Sequence, residues 1–92
     1  MEVLSQDEQQ MIQQVPIGAI FRHYKGKDYK ILHIARDSRD TSLCVVYQSL
    51  YRSQQFGNYA IWVRSIKEFL ETVVIEGEEI PRFTLTHQPI HE

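Results

Sequence analysis

The side chains best suited to chemistry in this chain are aromatic and basic, and they alternate. Tyr24, Tyr29, Tyr47, Tyr51, Tyr59 and Trp62 are interleaved with Arg22, Lys25, Lys30, Arg52 and Arg64. Aromatic faces give planar groups something to stack on, and a basic rim attracts anions; proteins that hold single-stranded nucleic acid combine the two. Arginine adds a planar fork that meets phosphate or carboxylate with paired hydrogen bonds. Arg64 and Arg82 directly adjoin Val63 and Phe83. Their stems are therefore expected to be partly buried, with their heads converging on one cleft. The expected ligand-binding set is His23, Tyr24, Tyr47 and Tyr51, together with Trp62, Arg64 and Arg82. It would serve a small anionic or aromatic ligand, such as a nucleotide or a nucleic-acid segment. The same residue types also have a plainer use. Tyrosine and tryptophan pack well in strands, and each arginine can pair with a nearby carboxylate such as Glu68 or Glu71. Five tyrosines nevertheless exceed what a core this small needs, and each buried hydroxyl requires a partner.

Other chemistry is mostly absent. Cys44 lies between Leu43 and Val45 in the most apolar segment and reads as a core residue. A nucleophilic thiol would need a base and an electropositive setting. His23 and His33 fall on the two strands of one expected hairpin, where they face each other, but two ligands are too few for a metal site. His87 and His91 are four apart, with Pro89 between them arguing against a shared helical face. The four glycines are isolated at turns and build no phosphate cradle. Glu76, Glu78 and Glu79 form the rim of a turn rather than an acid and base pair. No cofactor is expected. A non-catalytic binding module is thus the first reading. The alternatives are a protein-interaction domain using a strand edge or the acidic hairpin, and a small enzyme using His23 or His33 near Arg64.

These residues must be positioned by few elements. The chain has 92 residues, 42% of them hydrophobic, which allows one domain and a thin stability margin. No apolar run approaches the ~20 residues needed to cross a bilayer, so no membrane partner is expected. One cysteine excludes an intrachain disulfide framework. With no basic-then-apolar leader pattern, a cytoplasmic location is expected. Charge is uneven along the chain. Residues 1–14 carry three acids and no base, 15–64 eight bases against three acids, and 65–92 two bases against six acids. A basic middle between acidic ends suits an anionic partner; the plainer reading is a solvated surface.

Ser5-Gln6-Asp7-Glu8 has the capping-box pattern and starts a helix over 6–14 that Pro16 ends, one expected to dock only loosely. Ala19–Tyr24 and Tyr29–Arg36 read as a hairpin turning on Gly26. Leu43–Leu50 reads as a central strand buried on both faces, and Tyr59–Arg64 as a strand centred on Trp62. Ser65 with Glu68 caps a short helix over 65–71 that places Ile66, Phe69 and Leu70 on one face. Thr72–Ile75 and Ile80–Leu85 are expected to form a second hairpin. The core is expected to come mainly from Phe21, Ile31, Leu32, Ile34 and Val45, with Val46, Ile61, Val63, Phe69 and Val74.

The expected fold class is mainly β (α+β). A small, strongly curved antiparallel sheet, or a partly closed SH3-like barrel, carries an N-terminal helix and one short helix near 65–71. Residues 1–16 form a helical extension, 17–85 the β-barrel domain, and 86–92 a flexible tail.

Four segments together resemble a known family. They are Arg22–Gly26 followed by Tyr29–Leu32, Val45–Tyr51, Trp62–Arg64 followed by Phe69, and Pro81–Phe83. The combination is similar to the small bacterial family called domain of unknown function 1653, over about residues 20–83. The resemblance implies a compact, mostly β domain with no established activity. This chain departs from the family pattern in the loop Asp37–Thr41, where a His-Ser-Glu-Thr type sequence is usual. It also has Ser65 where proline is usual, and a longer loop over Arg52–Asn58. A catalytic role resting on that loop histidine is not available to it.

Overall fold

The computed structural model describes residues 4–89. Its elements run α1 (Gln6–Gln13), β1 (Ile20–His23), β2 (Asp28–Arg36), β3 (Leu43–Ser49), β4 (Ile61–Ser65) and α2 (Ile66–Phe69). Then follow β5 (Thr72–Ile75), β6 (Glu78–Pro81) and β7 (Phe83–His87). Five strands form one antiparallel sheet in the order β4-β3-β2-β1-β7, and β5 pairs with β6 in a separate two-stranded sheet. The large sheet is open rather than a closed barrel: β4 and β7 are its edges and do not pair with each other.

The capping box forms at α1. The Glu8 N–H donates to Ser5 Oγ at 3.1 Å, and the Ser5 N–H donates to Glu8 Oε1 at 3.2 Å. Behind it Val15 is fully buried, and Met11 and Ile12 pack on the core. The helix thus rests on the core through Met11 and Ile12, with none of its own residues fully buried. Arg36 Nη1 fixes its outer side by meeting Glu8 Oε2 at 3.0 Å.

β3 is central and buried at Leu43, Cys44, Val45, Tyr47 and Ser49, as its unbroken apolar start predicts. A register shift between Ile31 and His33 bends β2 against it. Phe21, Ile31, Val45 and Phe69 are core residues as expected, but Ile61 is 62% exposed, Val63 67% and Val74 70%. The reason is topology. β4 is an edge strand, and the face it turns inward carries Trp62 and Arg64, not Ile61 and Val63. The vacated core positions go to Val15, Ala19, Tyr47, Ile66 and Phe83.

The second hairpin differs from expectation. Glu76 and Gly77 both have positive φ, 52° and 81°, the signature of a two-residue type I′ turn. Its return strand stops at Pro81. The chain bends at Arg82, and β7 leaves to pair with β1, with His23 opposite Phe83. That move lets the Phe83 ring stack on Phe69, centroids 4.1 Å apart and planes 6° from parallel. An apolar ring of this size gains more from the core than from a solvated hairpin. His87 consequently ends β7 instead of opening a tail. His91 lies outside the described residues.

Candidate functional site

Side chains alternate across a strand, so the register fixes which residues share a face. Ile31 opposes Tyr47, Tyr47 opposes Trp62, and Val45 opposes Arg64. Phe21 opposes Tyr29, and His23 opposes Phe83. One face of the sheet therefore carries His23, Tyr29, Tyr47, Trp62, Arg64 and Phe83. α2 covers part of it through Phe69, which meets Phe21 and Tyr47 edge-on at 5.3 and 5.5 Å.

Beside Phe69 the rings continue as a network. His23 lies 4.4 Å from Tyr24, 5.0 Å from Phe83 and 6.5 Å from Tyr29. Tyr29 is the hub: it also meets Tyr47 at 5.4 Å and Tyr51 at 5.7 Å, and its hydroxyl is 2.7 Å from that of Tyr51. Burial, and then the bond to Tyr51, push the Tyr29 phenol far above its ordinary range, so it stays protonated. Lys25 and Lys27 sit over the outer rings, with Nζ 5.8 Å from the Tyr24 centroid and 5.1 Å from that of Tyr51.

Arg64 enters from β4. Its Nε donates to the Tyr47 hydroxyl at 3.4 Å, and Nη1 lies 3.8 Å from Glu68 Oε2. Arg82 enters from the bend between β6 and β7. Its backbone is anchored: the N–H donates to Glu71 O, and the carbonyl accepts the Tyr24 N–H. Its side chain is not. Arg82 Nε is buried and has no hydrogen-bond partner. Buried polar groups are paired as a rule, so such a donor calls for a reason.

His23 senses both arginines. Burial first, then the positive charges of Arg64, Lys25 and Arg82, hold its pKa below the ordinary 6.5. Nδ1 accepts the Lys25 N–H at 3.2 Å. The neutral ring therefore carries its own proton on Nε2, as a donor. The site thus combines uncharged rings, one neutral imidazole and a surplus of positive charge. Chemically, such an arrangement is suited to an anion. Its histidine is held by a backbone amide, not by the carboxylate that an acid–base dyad would use.

Six of the seven sequence-derived residues belong to this one neighbourhood: His23, Tyr24, Tyr47, Tyr51, Arg64 and Arg82. Trp62 shares the face but has other partners, donating to Ser49 Oγ at 2.7 Å and meeting Phe56 edge-on at 5.1 Å. His33 does not face His23. It opposes Val46 and is exposed. Tyr29 and Phe83 were missed as site residues. The signal was present in Tyr29, one of the interleaved aromatics, but its role as hub depends on partners from β1, β3 and the loop after β3. Two concavities lie elsewhere. One, of about 310 Å³, lies where α1 and α2 meet the start of β3, beside Glu8, Leu43 and Ile66. The other, of about 620 Å³, is lined by Ile17, Lys30, Leu50 and Pro89. Neither includes a residue of the aromatic cluster. No group of three or more His, Cys, Asp or Glu able to hold a metal occurs among the described residues.

A family model for proteins of unknown function, DUF1653, matches residues 19–85, from just before β1 into β7. The chain belongs to this family. The crystal structure of a DUF1653 protein from Bordetella bronchiseptica is similar in sequence and fold. It is 29% identical, with a TM-score of 0.69 over 86% of this chain and 97% of that one. No curated protein matches the chain. All the candidate residues fall inside the DUF1653 match, and α1 falls outside it. Ser65 caps α2: its Oγ accepts the Glu68 N–H at 3.1 Å. Among the described residues no helix is long and apolar enough to cross a membrane.

Proposed function

We propose that this DUF1653 domain is a non-catalytic binding module for a small anion that carries a planar ring, of which a nucleotide is the simplest example. The unpaired, buried Nε of Arg82 carries this reading. An unsatisfied buried donor costs about 1–3 kcal/mol, and a ligand oxygen that completes the guanidinium recovers that loss. Arg64 supplies the second cation, and the exposed sides of Tyr24 and Tyr51 supply the stacking surfaces. Reaching Arg82 requires local movement, since its Nε is closed to solvent in the free protein. Residues 17–85 form the unit that binds, residues 1–16 an extension packed on it, and the setting is cytoplasmic.

The test is titration of the full chain with adenosine 5′-monophosphate, inorganic phosphate and adenosine. The monophosphate is expected to bind more tightly than either fragment, and Arg82→Gln to weaken it at least tenfold. An anion beside His23 raises the imidazole pKa, so binding should draw up a proton below about pH 6.5 and strengthen as pH falls. Equal, weak binding by wild type and Arg82→Gln would end the reading.

A further inference from the structure

We infer that the outer edge of β5 docks an extended segment of a partner protein, apolar in its middle and basic at its ends. This surface meets the anion site only at its Glu71 end, where the Glu71 carbonyl accepts the Arg82 N–H. β5 and β6 pair with each other and with no further strand among the described residues. A lone two-stranded hairpin is marginal in water, and a third strand is what stabilises such a unit.

The two edges of this hairpin are not equal. The Arg82 N–H donates to Glu71 O at 3.0 Å, which makes Glu71 and Arg82 a hydrogen-bonded pair. Such pairs alternate along an antiparallel ladder. Thr72–Pro81 and Val74–Glu79 are then the pairs whose backbone groups point away from the hairpin. On β6 that edge is blunted, because Pro81 has no N–H and Glu79 is charged. On β5 it is intact. Thr72 and Val74 each offer an N–H and a carbonyl, and Thr72–Ile75 contains no charge, proline or glycine. Val74 is among the most exposed large apolar residues of the chain. The Thr72 hydroxyl donates diagonally to Glu79 Oε1 at 2.7 Å, which links the two outward-facing pairs, Thr72–Pro81 and Val74–Glu79. An unpaired, preformed edge whose own residues carry no charge is where strands add from another chain.

Charge specifies the partner. Glu71 and Glu76 stand at the two ends of β5, with Glu78 close behind, and all three are exposed. A strand laid along β5 sets its middle beside Val74 and its ends near Glu71 and Glu76. Lysine or arginine at those ends, around an apolar centre, is the complementary pattern.

The test uses the isotopically labelled full chain and the hexapeptide Lys-Val-Thr-Val-Thr-Lys. Two control peptides carry glutamate at both ends, or proline at the centre with the lysines kept. Binding is expected to move the amide resonances of Thr72 and Val74 and to slow their exchange, with both controls at least tenfold weaker. Val74→Lys should abolish the effect at an unchanged melting temperature, and Glu71→Lys with Glu76→Lys should reverse the charge preference. Equal binding by the proline peptide would mean charge attraction without strand addition and would overturn the proposal. So would the absence of shifts at millimolar peptide, or shifts lying outside residues 71–82. A concentration-dependent dimer through the same amides would place a second copy on the edge and overturn the choice of partner.

Discussion

At the scale of single residues, the site is made by side chains that packing alone leaves underused. Arg82 keeps a buried donor unpaired, and Arg64 makes one long bond to Tyr47 and a loose approach to Glu68. Both arginines are half-buried, but Arg64 is not so for the reason expected from its sequence neighbour: Val63 is 67% exposed, and Arg64 is covered because it shares the inward face of β4 with Trp62. What the two arginines meet was not legible, since Tyr47, Tyr29 and His23 come from three different strands. His23 gives a prediction with a sign. Its pKa is depressed in the folded chain, so between that value and the unfolded 6.5 the unfolded chain binds more protons. Stability should therefore rise with pH through this window and be lost as pH falls below about 6.5. The depressed carboxylates of Glu8, Asp28, Asp37 and Asp40 act in the same direction, but only as pH falls through the lower carboxylate range. Urea melts of wild type and His23→Gln between pH 5 and 7.5 separate the two. The variant should lose the slope above pH 5; an identical slope would show that His23 is not its source.

At the scale of elements, α2 is short, and it is held on the sheet by two buried residues, Ile66 and Phe69, of which Phe69 is the larger. Phe69 is fully buried and touches Phe21, Tyr47 and Phe83. Phe69→Ala should cost about 3–5 kcal/mol, which for a domain this small lowers Tm by roughly 12 °C or more. A thermal melt within a few degrees of wild type would show that the helix is not anchored this way. Ser65→Ala removes the cap and should cost about 1 kcal/mol, with Ser65→Thr recovering most of it. Both helices were legible because their signals are local: Ser5 with Glu8 and Ser65 with Glu68 announce caps three residues apart. The hairpins at Gly26 and Gly77 were legible for the same reason. The fate of Ile80–Leu85 was not. Nothing local distinguishes a strand that continues a hairpin from one that leaves it at Arg82, because the decision rests on a distant partner, Phe69, and on the free edge of β1. Ile61 and Val63 misled for the related reason that an edge strand exposes apolar residues which a central one would bury.

At the scale of the whole molecule, the basic middle of the sequence does not become a polyanion track. Arg22 is tied to Asp28 at 2.8 Å, Arg39 to Asp37 at 2.8 Å, and Arg36 to Glu8 at 3.0 Å. The cations gathered at the aromatic cluster are Lys25, Lys27, Arg64 and Arg82. Any binding of single-stranded RNA should then show a shallow salt dependence, with a log–log slope no steeper than about −3 for four phosphate contacts. A fluorescence titration from 50 to 200 mM salt reads it directly, and a slope near −6 would mean a long nucleic-acid track that this charge layout does not supply. The mainly β architecture was legible from the density of short β-branched runs and turns. Its opening into a sheet and a separate hairpin was not, because closure depends on whether β4 and β7 meet, and no residue pattern fixes that. The central claim is that Arg82 is kept for a ligand at some expense of stability. Thermal melting of wild type and Arg82→Met, each with and without adenosine 5′-monophosphate, tests it most directly. Methionine keeps the apolar stem and removes the orphan donor. The variant should melt at or above wild type in the absence of ligand and show no ligand-induced rise, whereas wild type should rise. A variant that melts several degrees below wild type, or a wild type unmoved by the nucleotide, would contradict the account.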